Sequence, residues 1–369
     1  MRILLVCGSF PPIRCGVGDY TSMLAGALGR RAGVDVAVLT SKGASPPRPD
    51  VPYQLLAVEE GWHFSDIPDT VRAIRGWSPD VIHFQYPAKG YGPLQWILPS
   101  LFRAMGYPVY VTLHEYFGEK DKGTRLSAVL NLPNIVAARG IAVTREDYAS
   151  LIPPSYARAM RGKCIKHIPI GSSFPTCVVG EAEREAVRNR FAPSPFSLVS
   201  YFGFVSPNKG VDDMFRIADP EFHHIVLLCE LDSADPLHAR ILTLATTPPW
   251  KGRVSVTGFL PADEVARILA CSDSVLLPFR NGSSLGNSTL HAAVSQGTFT
   301  LTTSLARRGY DPTLNVYFAA PGDIGDLSAA LFRYSGKRVT RPSDFVDREW
   351  DRIAEDHERF YRQTAGRPS

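Results

Sequence analysis

Residues 2–40 read RILLVCGSFPPIRCGVGDYTSMLAGALGRRAGVDVAVLT, and their pattern decides the fold. The apolar run Arg2–Cys7 is stopped by Gly8-Ser9 and reads as a buried strand, too short for a signal-peptide core. Val17, Tyr20, Leu24, Ala27 and Leu28 then recur at helical spacing, the helix stops near Gly33, and Val34–Thr40 is a second apolar run. Continuous apolar strands alternating with helices indicate a parallel sheet covered on both faces. The rhythm continues with strands expected at Val81–Gln85, Val109–His114 and Gly140–Thr144. It pauses at a hinge-like stretch, residues 167–176, and restarts at Ser197–Gly203, His224–Cys229, Val254–Thr257, Ser274–Leu277 and Thr298–Thr302. A last amphipathic stretch puts Val346, Trp350, Ile353, His357 and Phe360 on one face. The expectation is an α/β chain of two Rossmann-like, doubly wound domains facing each other across a cleft, at 1–170 and 176–344, with a terminal helix at 345–369. Ligands of such sheets bind beyond the carboxyl ends of the strands, so the loops there are the places to search.

Length and composition agree. The 369 residues suit two domains, and 44% hydrophobic with 21% charged residues excludes a disordered or fibrous chain. No run of about 18 apolar residues occurs, so a spanning helix is not expected. Cys7, Cys15, Cys164, Cys177, Cys229 and Cys271 form no CxxC pair, which points to cytoplasmic thiols and away from a zinc site. On that reading the two glycosylation sequons, at Asn281 and Asn287, are chance matches. The net charge of +4 permits an anionic substrate or a membrane surface without demanding nucleic acid.

Several chemistries are excluded by spacing. Gly16-Val17-Gly18 begins a dinucleotide fingerprint, but Thr21 holds its last glycine position, and the second strand ends in Thr40-Ser41-Lys42 without a ribose-binding acid. His114-Glu115 begins HExxH, but Gly118 replaces the second histidine. No Asp-x-Asp is present, so no metal clamp is expected. Gly282-Ser283-Ser284-Leu285-Gly286 does match the GxSxG of a serine hydrolase, with Asp311 or Asp323 as acid and His357 as base. Against it, Pro278–Asn281 separate the motif from its strand.

Four features suit an anionic ligand. Gly16 and Gly18 let backbone approach a ligand beside a helix N-terminus. Lys209, between Asn208 and Gly210, can meet a phosphate as a point charge. Asn287, Ser288 and Thr289 stand at the start of a helix whose first N–H groups need partners. His114 ends an apolar strand. Each also has a plainer reading, as a Gly-rich turn, a solvated lysine, a helix cap and a structural histidine.

Five motifs in order carry a resemblance. They are Pro11-Pro12-x-x-Cys15-Gly16-x-Gly18-Asp19-Tyr20, Thr112-Leu113-His114, Phe202-Gly203-Phe204-x-x-Pro207-x-Lys209-Gly210, Val256-x-Gly258-Phe259-Leu260-Pro261, and Pro278-Phe279 through Gly297. Over nearly the whole chain the sequence resembles family 4 of the retaining glycosyltransferases. The resemblance implies the GT-B fold, with an N-terminal acceptor domain, a C-terminal donor domain and a terminal helix that crosses back to the first. It implies sugar transfer from a nucleotide-diphosphate donor to a hydroxyl acceptor (a glycan, a lipid-linked sugar or a small molecule). Retention is implied, with no cofactor and no essential metal, and peripheral membrane association where the acceptor is a lipid.

Position by position, the resemblance assigns Lys209 to the donor diphosphate and the N–H groups of Asn287, Ser288 and Thr289 to its outer phosphate. Gly16 and Gly18 would sit beside diphosphate and acceptor, His114 would contact the donor sugar, and Gly258, Phe259 and Leu260 would lie against the base. Asp19, Tyr20, Trp62, Tyr86 and Glu115 are the first-domain residues assigned to the acceptor. Two departures follow. Phe204 stands where the family has an arginine, and the family's two glutamates fall on Ser284 and Ala292. Losing the ribose-binding glutamate costs on the order of 1.5–3 kcal/mol of donor binding. That loss keeps a second reading open, a sugar- or nucleotide-binding subunit without catalysis.

Overall fold

The computed structural model describes residues 1–13, 15–46, 49–58, 62–86, 91–114, 132–145, 154–283 and 286–365. The chain divides into two compact units, Met1–Gly171 joined by Asp347–Ser369, and Ser172–Val346.

The first unit holds strands β1 (Arg2–Val6), β2 (Asp35–Ser41), β3 (Gln54–Val58), β4 (Val81–Tyr86), β5 (Val109–Leu113), β6 (Gly140–Val143) and β7 (Cys164–His167). Their order in the sheet is β3-β2-β1-β4-β5-β6-β7, and every pairing is parallel. Strand order reverses between β1 and β4, the place where such sheets open a crevice. Helices α1 (Gly16–Gly29), α2 (Ile67–Trp77) and α3 (Leu98–Ala104) connect the strands. Leu4, Val6, Ile82, Phe84, Val109 and Val111 form one core with Ile74 and Trp77 of α2 and Leu98 and Phe102 of α3.

The second unit repeats the plan with β8 (Ser197–Phe202), β9 (His223–Leu228), β10 (Val254–Val256), β11 (Ser274–Leu277), β12 (Thr300–Thr303), β13 (Gly309–Asp311) and β14 (Val316–Ala319). The order is β10-β9-β8-β11-β12-β14-β13, parallel apart from β13, which runs antiparallel to β14. Here the order reverses between β8 and β11. Helices α4 (Glu181–Phe191), α5 (Pro236–Thr246), α6 (Ala262–Cys271), α7 (Ser288–Val294) and α8 (Ile324–Tyr334) lie between or after the strands.

The last helix, α9 (Phe345–Ala365), packs on the first unit. Its expected apolar face is the observed one, with Val346, Trp350, Ile353, His357 and Phe360 all buried. Two glycines make room for it. A Cβ on Gly140 would lie 2.6 Å from the Phe360 ring, and one on Gly171 would lie 2.9 Å from the Trp350 indole. Arg31–Glu358 at 2.5 Å, Arg30–Asp351 at 3.0 Å and Lys166–Asp356 at 3.1 Å fasten its polar flanks. Pairs at the surface or partly buried, as these are, contribute about 1 kcal/mol each, so buried rings hold the helix.

Strands β3, β7, β13 and β14 were not anticipated from the sequence. β3, β7 and β13 are sheet edges. In β7 only Cys164 and Lys166 turn partly inward while Ile165 stays 44% exposed, so its alternation carries no apolar stripe to read.

Candidate functional site

In the second unit, the loops after β8 and β11 meet where the strand order reverses. Gly203 follows β8 with φ +123, and a Cβ there would come within 3.2 Å of Thr289 Oγ1 at the start of α7. Tyr201 Oη donates to the Phe204 carbonyl at 2.8 Å, fixing the bend. The Pro207–Lys209 turn closes with Lys209 N–H donating to the Ser206 carbonyl at 2.9 Å. Gly210 then takes φ +63, and its Cα lies so close to the next loop that a Cβ would fall 2.2 Å from the Pro278 carbonyl oxygen. Only glycine suits both the backbone angle and that contact. Lys209 Nζ rests 4.5 Å from the centroid of the buried Phe279 ring. Lys209 is thereby held against the loop after β11 by backbone contacts on both its sides, in a loop whose first residue, Gly203, packs on the start of α7.

The structure qualifies other expected members of this site. Asn287 is the N-cap of α7, and its Oδ1 accepts from Thr289 N–H at 3.0 Å and Leu290 N–H at 3.4 Å. The Thr289 amide assigned to a phosphate is therefore already capped, while Ser288 is exposed. The cap forms because the Asn side chain reaches the second and third helical amides without strain. Phe204 is 68% exposed and Phe259 63% exposed, whereas Leu260 packs on the unit's core instead of standing free for a base. Gly258 adopts φ +72 with open space around it. Ser284, the departure from the family's first glutamate, lies outside the described residues. Ala292 is fully buried in the core, so the α7 face at that position turns inward.

In the first unit, Gly16 opens α1 with open space where a Cβ would stand, but Gly18 has a different task from the one expected. A Cβ on Gly18 would sit 2.7 Å from the Ser9 carbonyl oxygen, so this glycine lets α1 pack on the loop after β1. Asp19 stands in the first turn of α1, where burial raises its carboxyl pKa to about 6. His114 follows β5. Its N–H donates to the Tyr86 carbonyl at 2.6 Å and its Nε2 is 2.8 Å from Gln85 Oε1. Burial, with His357 nearby, lowers its pKa to about 3, so it is a neutral imidazole at pH 7.

Three acceptor assignments are corrected. Tyr20 is 4% exposed, with its ring 4.5 Å from His114 and 5.2 Å from Trp350 and its Oη 3.4 Å from His357 Nε2. Tyr86 is 2% exposed and stacks against Phe84 and Tyr91. Trp62 is fully buried and donates to Ser41 Oγ at 2.8 Å. All three are core residues because their rings bury far more apolar area than a loop contact would offer. Glu115 lies outside the described residues. His357, the candidate base of a serine hydrolase, is fully buried, with Nδ1 3.0 Å from the Ile353 carbonyl oxygen and Nε2 facing Tyr20. Both its nitrogens are occupied, which removes the hydrolase reading.

Sequence reasoning missed a polar core beneath α9. His83 on β4 bonds Thr112 Oγ1 at 2.8 Å and Tyr361 Oη at 2.5 Å, one at each ring nitrogen. Its ring lies 5.5 Å from that of His357. The signal was present as a histidine inside an apolar strand, but only the fold brings α9 over it. Among the described residues, no three His, Cys, Asp or Glu side chains gather as a metal site, and no helix is long and apolar enough to cross a membrane.

Residues 15–196 match the family model described as a glycosyl transferase 4-like domain. Those residues thus form a glycosyl transferase 4-like domain, in agreement with the family that the motifs resemble. No curated protein matches the sequence. Solved structures share its fold over nearly the full length. Sucrose-phosphate synthase from Thermosynechococcus elongatus superposes with a TM-score of 0.73 at 18% identity, covering 98% of each chain. HepE of Anabaena, in complex with UDP and glucose, gives 0.67 at 13% identity over 98% of this chain and 100% of its own. The catalytic domain of starch synthase IV from Arabidopsis thaliana, bound to ADP and acarbose, gives 0.67 at 13% identity over all of both chains. The chain has the GT-B fold of these enzymes.

Proposed function

We propose that the glycosyltransferase moves a sugar from a nucleoside-diphosphate sugar to a hydroxyl acceptor with retention of the anomeric configuration and without an essential metal. The observation that carries this reading is the loop after β8, where the second unit's strand order reverses: Gly203 packs on Thr289 at the start of α7, and the Lys209 turn is held against the loop after β11. The second unit is then the donor domain and the first the acceptor domain. The nucleotides in the related structures, UDP with HepE and ADP with starch synthase IV, support a diphosphate donor.

On this reading the C1–O bond to the leaving diphosphate breaks as the acceptor oxygen bonds C1 on the same face. The acceptor proton passes to the leaving phosphate oxygen. Lys209 stabilises the charge that develops on that diphosphate, and neutral His114 hydrogen-bonds the donor sugar without adding charge. The exposed Ser288 takes the outer phosphate, and Gly258 with Phe259 faces the base. Asp19 and Gly16 remain as acceptor-side groups. All six cysteines are free thiols, which fits a cytoplasmic address.

Calorimetry with UDP, ADP and GDP and their glucose conjugates, in EDTA, tests the donor half. One base is expected to bind, and Lys209→Ala to weaken it at least tenfold. A product assay with the bound donor tests transfer. The second reading, a binding subunit without turnover, draws on the buried Ala292 and on Phe204, which leave no charged residue at two donor positions. Tight donor binding without product across sugar, lipid-linked and small hydroxyl acceptors would select it.

A further inference from the structure

We infer that Arg280 is the positioning residue of the donor site, fastening the turn that carries Lys209 to the loop after β11. This rests on the donor-site reading above. The Arg280 guanidinium spends all three of its nitrogens on one turn. Nε donates to Asp213 Oδ2 at 2.9 Å, Nη2 to Asp212 Oδ1 at 2.8 Å and Nη1 to the Pro207 carbonyl at 3.1 Å. Its backbone N–H donates to the Asn208 carbonyl at 2.9 Å. The partners flank Lys209 on both sides, so the lysine cannot shift along the turn while they hold. The same short loop supplies Phe279 under the Lys209 ammonium and the Pro278 carbonyl against Gly210.

A donor site with Phe204 in place of an arginine invites the reading that Arg280 is the replacement phosphate ligand. Its partners argue otherwise. Two carboxylates already neutralise it, and the Asp212 side chain is only 3% exposed. Arg240 at 3.5 Å from Asp212 and Arg216 at 3.5 Å from Asp213 are the outer cations of the cluster. A guanidinium moved onto a phosphate would leave Asp212 buried with one distant partner, which is costly. The Asp213 hydrogen bond also raises the Arg280 pKa, as expected of a paired cation. A fork holding two carboxylates and a carbonyl at once is a task that lysine cannot perform.

The test is a double-mutant cycle on nucleoside-diphosphate affinity, read by calorimetry with UDP, ADP and GDP, each beside its nucleoside. Arg280→Ala is expected to weaken the bound diphosphate about tenfold and to leave the matching nucleoside unchanged. Combined with Lys209→Ala it should bind no more weakly than Lys209→Ala alone, because both changes remove the same contact. Effects that add would make Arg280 a direct ligand and overturn the assignment. Should Arg280→Ala fail to fold, Asp213→Asn decides by sign. Loosening the clamp lowers diphosphate affinity, whereas a phosphate-binding Arg280 relieved of its carboxylate would bind more tightly. Arg280→Lys should behave like the alanine variant, and full affinity there also counts against the clamp. If Lys209→Ala weakens binding and Arg280→Ala does not, the assignment fails and the donor site stands. If the wild-type chain binds none of the three diphosphates, both fail.

Discussion

Acidification from pH 6.5 to 5 is expected to loosen the first unit, because its core contains histidines that cannot accept protons where they lie. His357 has its pKa lowered to about 4 and His114 to about 3, burial being the main cause in both, from 6.5 in an open chain. The unfolded chain therefore binds protons over this interval that the folded one refuses, and stability falls with pH. Each of the two contributes a loss of about 1.6 kcal/mol. His83, lowered well below the ordinary value, acts in the same direction. Asp19 opposes them. Its carboxyl is raised from 3.8 to about 6, so the folded form gains a proton as pH falls and returns about 1.2 kcal/mol. The balance is a loss of about 2 kcal/mol before His83 is added. Groups around the cluster include Tyr20 on α1, Thr112 and Tyr110 on β5, Lys166 on β7, and Asp356 and Tyr361 on α9. Urea unfolding followed by tryptophan fluorescence measures the change, since Trp62, Trp77, Trp96 and Trp350 lie in the first unit and only Trp250 in the second. His357→Gln should cut the pH effect by about 1.6 kcal/mol. Equal stability at the two pH values, or an undiminished effect in His357→Gln, refutes the reasoning.

Gly210→Ala places a Cβ 2.2 Å from the Pro278 carbonyl at φ +63, so the Lys209 turn must move; nucleoside-diphosphate affinity should drop at least tenfold by calorimetry, with about 2 kcal/mol of stability lost. Tyr361→Phe leaves His83 Nδ1 buried without its partner and should destabilise the first unit by about 1–3 kcal/mol in urea titrations, with donor affinity unchanged. His114→Ala is expected to lower kcat while free nucleoside diphosphate binds as before; a parallel loss of diphosphate affinity would move His114 out of the sugar site.

Two turns of the second unit were legible one loop at a time. Lys209 between Asn208 and Gly210, and Asn287 before a helix, are local signals, since turn chemistry and capping act over a few residues. The same locality explains the errors. Tyr20 and Tyr86 were assigned to the acceptor as first-domain residues, and nothing near them in sequence says that Trp350 of α9 and Tyr91 cover their rings. Gly18 looked like a phosphate glycine, because a close approach of Ser9 backbone and a close approach of a ligand make the same demand for a missing Cβ.

By itself, the sequence determined the alternation of buried strands and helices, and hence two parallel sheets, because period and run length are properties of neighbouring residues. It also determined the apolar face of α9, readable from Trp350, Ile353, His357 and Phe360. Only the tertiary structure decided what those faces meet. His83 and His357 come from positions far apart in the chain, as do Asn208 and Arg280, and a contact across such a separation forms only once the sheet order has been set. The Arg280 clamp is the clearest case. Its carboxylates, Asp212 and Asp213, are neighbours in sequence, but their partner was chosen by β11 pairing beside β8.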